Sequence, residues 1–458
     1  MNRHVPYLLS VLVVLTSLTF TSCLSDDDTD IIDYSEYNDC IVSNVVLGTL
    51  YRQVTTTTPA GRDSTYTTTV TGSYYPMHID HLNARIFNTD SLPAGTNPKK
   101  ILFSSFSTSG ATTLVSATTG EDTLFSLSDT LDCSTVRYIK VHAYDGVSVR
   151  RYALHINIHR EDGNVFRWDT NTVAAGLLAG MEPGQRMAVR ADSVPVIFGR
   201  KDDTLIAVAA PRRQEPLTAT LPQGMRPESI VTTPDGSRMY GLAAEGLMTS
   251  ADGMAWTAVA TDVVPQALLL CGSRTLVGMG AEGFIASTDG GRTWVAEAAD
   301  EPHRLPAAEM VGAMLPSRTD SRLEDFVVIG RDADGQTVVW RRTDDLTGSA
   351  SFNWYYLPQT DAVDMQMPRL KAMTLVAYDE SLLLFGQQED GTAAPIYTTR
   401  DYGRTWQPSD IEALPFATGS TNGIAAAVGT DHFIHVTETA TGRLWRGRHN
   451  RLGWAEAQ

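Results

Sequence analysis

The sequence predicts an all-β protein in two parts, a β-sandwich followed by a β-propeller of six blades, with seven as the alternative count. Three observations point there. Residues from about Tyr34 to His159 are rich in Thr, Ser, Val and Tyr, alternate with period two, and break at Thr58-Pro59-Ala60-Gly61 and Leu92-Pro93-Ala94-Gly95, which is the composition of antiparallel strands and turns. From about Phe166 onward units closed by tryptophan repeat, at 256, 294, 354, 406 and 454, with gaps of 38, 60, 52 and 48 residues that suit four-stranded blades with insertions. The chain also has 458 residues, with 42% hydrophobic and 19% charged, so it is folded and too long for one small module. These features divide it into a signal peptide at 1–22, an acidic tether at 23–33, a sandwich at 34–161 and a propeller at 162–458.

The N-terminus reads as an address. A short cationic start with Arg3 precedes an apolar run from Tyr7 to Leu18, about 12 residues and about 18 Å as a helix, which is too short to span a hydrocarbon core. Thr19-Phe20-Thr21-Ser22-Cys23 resembles the lipobox of bacterial lipoproteins, and the resemblance makes Cys23 the lipidated first residue of the mature chain. Phe20 stands where the usual box has Leu, a departure common in Bacteroidota. The following Leu24-Ser25-Asp26-Asp27-Asp28-Thr29-Asp30 has no hydrophobic periodicity and is expected to be a solvated tether. It resembles the export signal of surface lipoproteins, which implies an outer-membrane lipoprotein exposed at the cell surface.

In the first domain, Tyr138 to His159 forms two alternating runs around Asp145-Gly146, a predicted hairpin with Ile139, Val141 and Ala143 on one face and Tyr152, Leu154, Ile156 and Ile158 on the other strand's matching face. The pattern resembles the last two strands of bacterial immunoglobulin-like and cadherin-like modules. His155 and His159, four apart, would sit roughly 13 Å apart along a strand, so they and His78, His81 and His142 are expected to be solvated strand residues, and no metal site is expected. Cys40 and Cys133 are open to two readings, a disulfide or two buried thiols.

In the second domain, Ser287-Thr288-Asp289-Gly290-Gly291-Arg292-Thr293-Trp294 and Thr399-Arg400-Asp401-Tyr402-Gly403-Arg404-Thr405-Trp406 share Ser/Thr-x-Asp-x-Gly-x-Thr-Trp. The expected turn has Asp289 and Asp401 accepting backbone N–H bonds from within it, Gly291 and Gly403 at positive φ, and Trp294 and Trp406 packed between sheets, with Ser287, Thr293, Thr399 and Thr405 as the remaining structural residues of the box. Ser250 to Trp256 is a shortened relative, Arg342 to Trp354 an expanded one, and Gly447 to Trp454 ends in a similar Gly-Trp. Units are expected to begin at the runs Ile230–Thr233, Ala267–Cys271, Phe326–Gly330, Leu382–Gly386 and Gly423–Val428, with Ser193 to Leu221 as an earlier unit and Phe166 to Leu178 supplying the strand that closes the ring. Cys271 is expected to be a buried thiol.

This half resembles the Asp-box propellers, a group that contains sialidases, photosystem assembly factors and surface proteins of no known activity. The resemblance implies that the box marks the fold and lies away from the ligand-binding face. Taken whole, the chain resembles uncharacterised Bacteroidota lipoproteins whose N-terminal part is a domain of unknown function.

Function is bounded mainly by exclusion. With 36 Lys and Arg against 53 Asp and Glu, net −17, neither nucleic acid nor an anionic membrane surface is expected as the main partner, so anchoring falls to the acyl chains. Four cysteines exclude a disulfide-stapled scaffold. No phosphate loop, zinc spacing or Gly-x-Ser-x-Gly occurs, and no catalytic residue or cofactor is expected. The sialidase signature is missing, His303-Arg304-Leu305-Pro306 being its nearest string, and no carboxylate pair stands out for glycoside hydrolysis. The expectation is a non-enzymatic envelope binding module that engages a glycan or protein through the propeller face. The segments Glu301 to Arg322 and Asp344 to Asn353 are the first candidates for contacts, and Trp354-Tyr355-Tyr356 the densest aromatic group. An accessory or assembly factor for an outer-membrane complex is the alternative, suggested by Arg341, Arg342, Arg400, Arg404, Arg443, Arg446, Arg448 and Arg451 in the last third. A sialidase-like hydrolase is the third reading.

Overall fold

The computed structural model describes residues 37–57, 62–171, 174–409, 412–416, 419 and 423–453. The signal peptide, Cys23, the tether, the 58–61 break and Trp454 lie outside these residues. Among the described residues no helix is long and apolar enough to cross a membrane. The chain divides into two compact units, Met1–Glu161 and Asp162–Gln458.

The first unit is built from strands around one apolar core. Thr49–Thr57 pairs in unbroken register with Asp63–Thr71, and Val42–Leu47 pairs with Phe103–Thr108. A six-stranded sheet runs in the order Met77–Asp80, Arg85–Asn88, Val149–His155, Arg137–His142, Ala111–Val115 and Asp122–Leu124. The predicted hairpin is its centre: Ile139, Val141, Tyr152 and Leu154 are fully buried, and Asp145 Oδ1 accepts the Val147 and Ser148 N–H groups at 2.9 and 2.8 Å to hold the turn. Val149–His155 pairs with Arg85–Asn88 in parallel, a departure from the wholly antiparallel expectation. Alternation records which side chains are buried and carries no information on strand direction. Cys40 and Cys133 are free thiols within this core cluster. Burial pushes the Cys133 thiol up to about 12.

Among the described residues, the second unit contains six four-stranded antiparallel sheets. In chain order the first five are 186–220, 226–258, 267–296, 308–356 and 371–408. The sixth joins Ile424–Val428, Ile434–Glu438 and Leu444–His449 to Phe166–Asn171, so the first strand of the unit completes its last sheet. The first strand of each sheet contacts that of the next, and the sixth returns to the first. Six apolar clusters fill the six seams of this ring.

Three expectations are corrected here. Phe326–Gly330 and Leu382–Gly386 are second strands; the fourth and fifth sheets begin at Ala308–Pro316 and Lys371–Tyr378. The second strand has a neighbour strand on each edge and a packed seam on each face, so it reads as a continuous apolar run, whereas the first strand alternates, with Val311, Ala313 and Leu315 buried between more exposed residues. That also makes Glu301 to Arg322 largely framework, since a nine-residue strand crosses it. Gly447 lies inside a strand rather than a turn, where a Cβ would come within 2.4 Å of the Phe166 ring.

Candidate functional site

The Ser/Thr-x-Asp turns join the third and fourth strands of the second, third and fifth sheets. In the third sheet Asp289 Oδ1 accepts from the Arg292 and Thr293 N–H groups, both at 3.0 Å, its Oδ2 accepts from Thr293 Oγ1 at 2.8 Å, and Ser287 Oγ accepts from Gly291 N at 2.8 Å. In the fifth sheet Asp401 makes the matching bonds to Thr405, and Thr399 Oγ1 accepts from Gly403 N at 2.9 Å. Gly291 has φ +87, and a Cβ there would sit 2.3 Å from Leu247, which fixes both conformation and side chain. The tryptophan folds back over each turn: Trp256, Trp294 and Trp406 donate Nε1–H to the carbonyls of Gly253, Gly291 and Gly403 at 3.1, 3.1 and 2.9 Å. The Arg342 to Trp354 segment does not make this turn. Trp354 instead donates to Glu297 Oε2 of the preceding sheet at 2.6 Å.

The Thr293 N–H and hydroxyl bonds, with that of Ser287, pull the Asp289 carboxyl down to about 2. Bonds from Thr405 and Thr399 likewise lower Asp401 against an opposing push from burial. A carboxyl depressed by folding stabilises above its unfolded pKa of about 4, and that contribution disappears as pH falls through the folded value. The urea midpoint of the second unit is therefore expected to drop between about pH 4 and 2, and Asp289→Asn is expected to shrink the drop; an unchanged pH profile in that variant would contradict the assignment.

The loops after first strands and after third strands leave each antiparallel sheet at the same end, so these turns share an end of the ring with the Thr233–Arg238 and Gly429–Phe433 turns. There, between the second and third sheets, opens a cleft of about 410 Å³ lined by Arg238, Tyr240, Thr249, Ala258, Asp289 and Arg292. Arg238 and Arg292 are exposed and Tyr240 is buried. Asp289 is the one carboxylate of this lining, and against it stand two guanidiniums, so the lining carries a net positive charge. The volume is that of a small-ligand site. Sequence reasoning singled out Asp289 but not Arg238, Tyr240 or Thr249, because the cleft is assembled from two sheets and leaves no local spacing. It also expected the ligand at the opposite end.

Other sequence-predicted candidates fall elsewhere. Trp354 is fully buried, Tyr355 is exposed and Tyr356 is half-buried beneath the Arg304 guanidinium, 4.9 Å from its ring centre. The Asp344 to Asn353 loop is wound around Asp345, whose oxygens accept from Thr347, Ser349 and Ala350. The arginines of the last third do not form one face. Arg341 pairs with Asp325 at 2.8 Å, Arg342 is buried with Glu297 and Asp344, Arg446 and Arg448 lie over the Phe433 ring, and Arg451 pairs with Asp379. Among the histidines, His81 Nδ1 bonds Tyr152 Oη at 3.1 Å and His142 Nε2 bonds Thr113 Oγ1 at 2.9 Å; no group of three His, Cys, Asp or Glu that could hold a metal occurs among the described residues. Cys271 is half-buried, with its thiol enclosed, donating to Gly272 O at 3.4 Å and pushed up to about 12 by burial.

Comparison with known proteins gives a family and a fold. A family model described as the DUF6242 beta propeller domain matches residues 162–457, and one described as the DUF6242 N-terminal domain, of unknown function, matches residues 45–156. No curated protein matches. Among solved structures, the Trichoderma reesei carbohydrate-active enzyme of family AA12 is 9% identical, with a TM-score of 0.39 over 62% of this chain and 96% of its own. A Xanthomonas campestris gluconolactonase is 11% identical, TM-score 0.34, over 59% and 88%. An inactive virginiamycin B lyase from Staphylococcus aureus with quinupristin is 11% identical, TM-score 0.34, over 62% and 99%. Likenesses of this size carry no argument, and the propeller rests on the family model.

Proposed function

The chain belongs to the DUF6242 family, and from that premise we propose that it is a cell-envelope binding module for an acidic saccharide. On this reading Cys23 carries the lipid, residues 23–33 form the tether, an immunoglobulin-like sandwich at 34–161 follows, and a six-bladed Asp-box propeller presents its clefts at the surface of a Bacteroidota cell. The observation that carries the ligand class is the Arg238/Arg292 cleft on a chain of net charge −17. Two exposed guanidiniums at one cleft of so acidic a protein, Arg292 spending one Nη on the Asp289 carbonyl at 3.2 Å, favour carboxylate or sulfate groups, for which the planar fork is suited, with Tyr240 and Thr249 available to sugar hydroxyls.

Binding without turnover is supported by the carboxylate content of the cleft. Glycoside hydrolysis needs one carboxyl held as an acid and a second across the scissile bond. Asp289 is held ionised by its own turn, and no second carboxylate lines the cleft among the described residues. The test is an array of neutral, uronate-bearing and sulfated glycans probed with the chain and with the Arg238→Gln/Arg292→Gln variant. Retention of acidic glycans by the parent, weakened at least about tenfold in the variant, is expected. Retention of neutral glycans alone, or equal retention by both proteins, would contradict the reading.

A further inference from the structure

The seam where the ring closes contains a second cleft. It lies between the sixth and first sheets, has a volume of about 40 Å³, and is lined on its polar side by Arg212, Arg446, His435, Asp169 and Ser193 and on its apolar side by residues such as Trp445. Asp169 Oδ2 is shared, 2.6 Å from an Arg212 Nη and 3.6 Å from Arg446 Nε. Two guanidiniums thus divide one carboxylate, and the cleft lining retains an excess positive charge; Asp431, near both His435 and Arg446, does not line it.

Two buried polar atoms of the cleft-lining residues make no hydrogen bond among the described residues, His435 Nε2 and Arg446 Nε, the latter held only at ion-pair distance from Asp169. His435 is only 4% exposed, and burial pushes its imidazole down to about 4, so it is neutral at pH 7. Phe433 stacks 4.2 Å from the Arg446 guanidinium and limits where that group can turn. An unpartnered buried donor destabilises the fold unless something fills its valence. The space admits roughly three waters, the size of one compact oxyanion group and too small for a sugar ring.

We infer that this seam is a binding site for a single oxyanion group, carboxylate, sulfate or phosphate, held between Arg212 and Arg446 with His435 as a neutral partner. The site is separate from the Arg238/Arg292 cleft and does not depend on it. Because its residues come from the last and first sheets of the ring, and from the Phe166–Asn171 strand that closes it, occupancy couples to closure: a ligand that binds only the closed ring raises its unfolding temperature.

The test follows thermal unfolding of the full chain in sodium sulfate, sodium phosphate, sodium glucuronate and, at matched ionic strength, sodium chloride, read by its tryptophan fluorescence. Sulfate also stabilises proteins generally, so each response is read against Arg212→Gln, whose side chain is half exposed and should leave folding intact, and against Arg446→Gln. A saturable rise in Tm with an oxyanion but not with chloride is expected, with the apparent Kd raised at least about tenfold in Arg212→Gln and the response kept in Arg238→Gln/Arg292→Gln. A response to sulfate or phosphate identifies a free inorganic anion as sufficient, and one to glucuronate alone identifies the acid group of a larger ligand; both support the site. An identical response in parent and Arg212→Gln, or none beyond chloride, would overturn it.

Discussion

Trp354→Ala is expected to destabilise the second unit by about 3–5 kcal/mol, the range for emptying a buried aromatic site. Trp354 has no exposure, and its ring stacks on Phe284 at 4.2 Å with an interplanar angle of 19°. Phe284 in turn meets Trp340 edge-on at 5.6 Å, so the loss would open the centre of the seam between the third and fourth sheets. The backbone there is stitched too, with Trp354 N donating to Ala298 O at 2.9 Å and Asp300 N donating to Trp354 O at 3.1 Å. Alanine would also strip the indole N–H from Glu297. Trp354→Phe keeps most of the stacking and removes that donor alone, and is expected to cost about 1–3 kcal/mol. Urea unfolding followed by fluorescence separates the two; a cost below about 1 kcal/mol for Trp354→Ala would contradict the packing described.

Arg342→Met is expected to have an effect of similar size for a different reason. Arg342 is buried, with one Nη 3.1 Å from Glu297 Oε1 and 2.9 Å from Asp344 Oδ1, and its Nε donates to Phe352 O at 3.2 Å. Asp344 retains Thr275 Oγ1 at 2.8 Å, but among the described residues the Glu297 carboxylate would keep the Trp354 indole alone. Removing one partner of such a pair typically costs about 3–5 kcal/mol because the other charge stays buried. Burial already raises the Glu297 carboxyl, with Arg342 opposing the shift, so the variant should raise it further. A carboxyl whose folded pKa lies above its unfolded value stabilises at low pH and loses that contribution as pH rises through the folded value. The penalty of Arg342→Met should therefore be larger at pH 8 than at pH 5, and adding Glu297→Gln should recover part of it. Equal penalties at both pH values would show that Glu297 does not carry the effect.

What the sequence made legible was local. The turns at Ser287–Trp294 and Thr399–Trp406 could be read because the bonds that define them, from the Asp carboxylate and the Ser or Thr hydroxyl to the turn's own N–H and hydroxyl groups, span four residues or fewer. The Tyr138 to His159 hairpin was legible because alternation and its Asp-Gly turn agree. Features that depend on non-neighbouring segments were not legible. Trp354 looked like another turn-closing indole, yet its partner is Glu297, 57 positions away. The starts of the fourth and fifth sheets were misplaced because burial on both faces makes a second strand the most apolar run. Both clefts escaped notice for the same reason: Arg238 and Asp289, or Arg212 and Arg446, belong to different sheets and come together only when the ring is built. The arginine-rich last third looked like a surface feature, but pairing and stacking absorb Arg341, Arg342, Arg446 and Arg451 within the unit.

The central claim, an acidic saccharide bound between the second and third sheets and left intact, is tested most directly by calorimetric titration of uronate-bearing and sulfated oligosaccharides, with the sugar recovered and weighed by mass spectrometry. Saturable heat that is lost in Arg238→Gln/Arg292→Gln, with every oligosaccharide recovered at its starting mass, is the expected result. Cleaved sugar that depends on the intact cleft would make the chain an enzyme, and heat indifferent to both arginines would place the ligand elsewhere; either would contradict the claim.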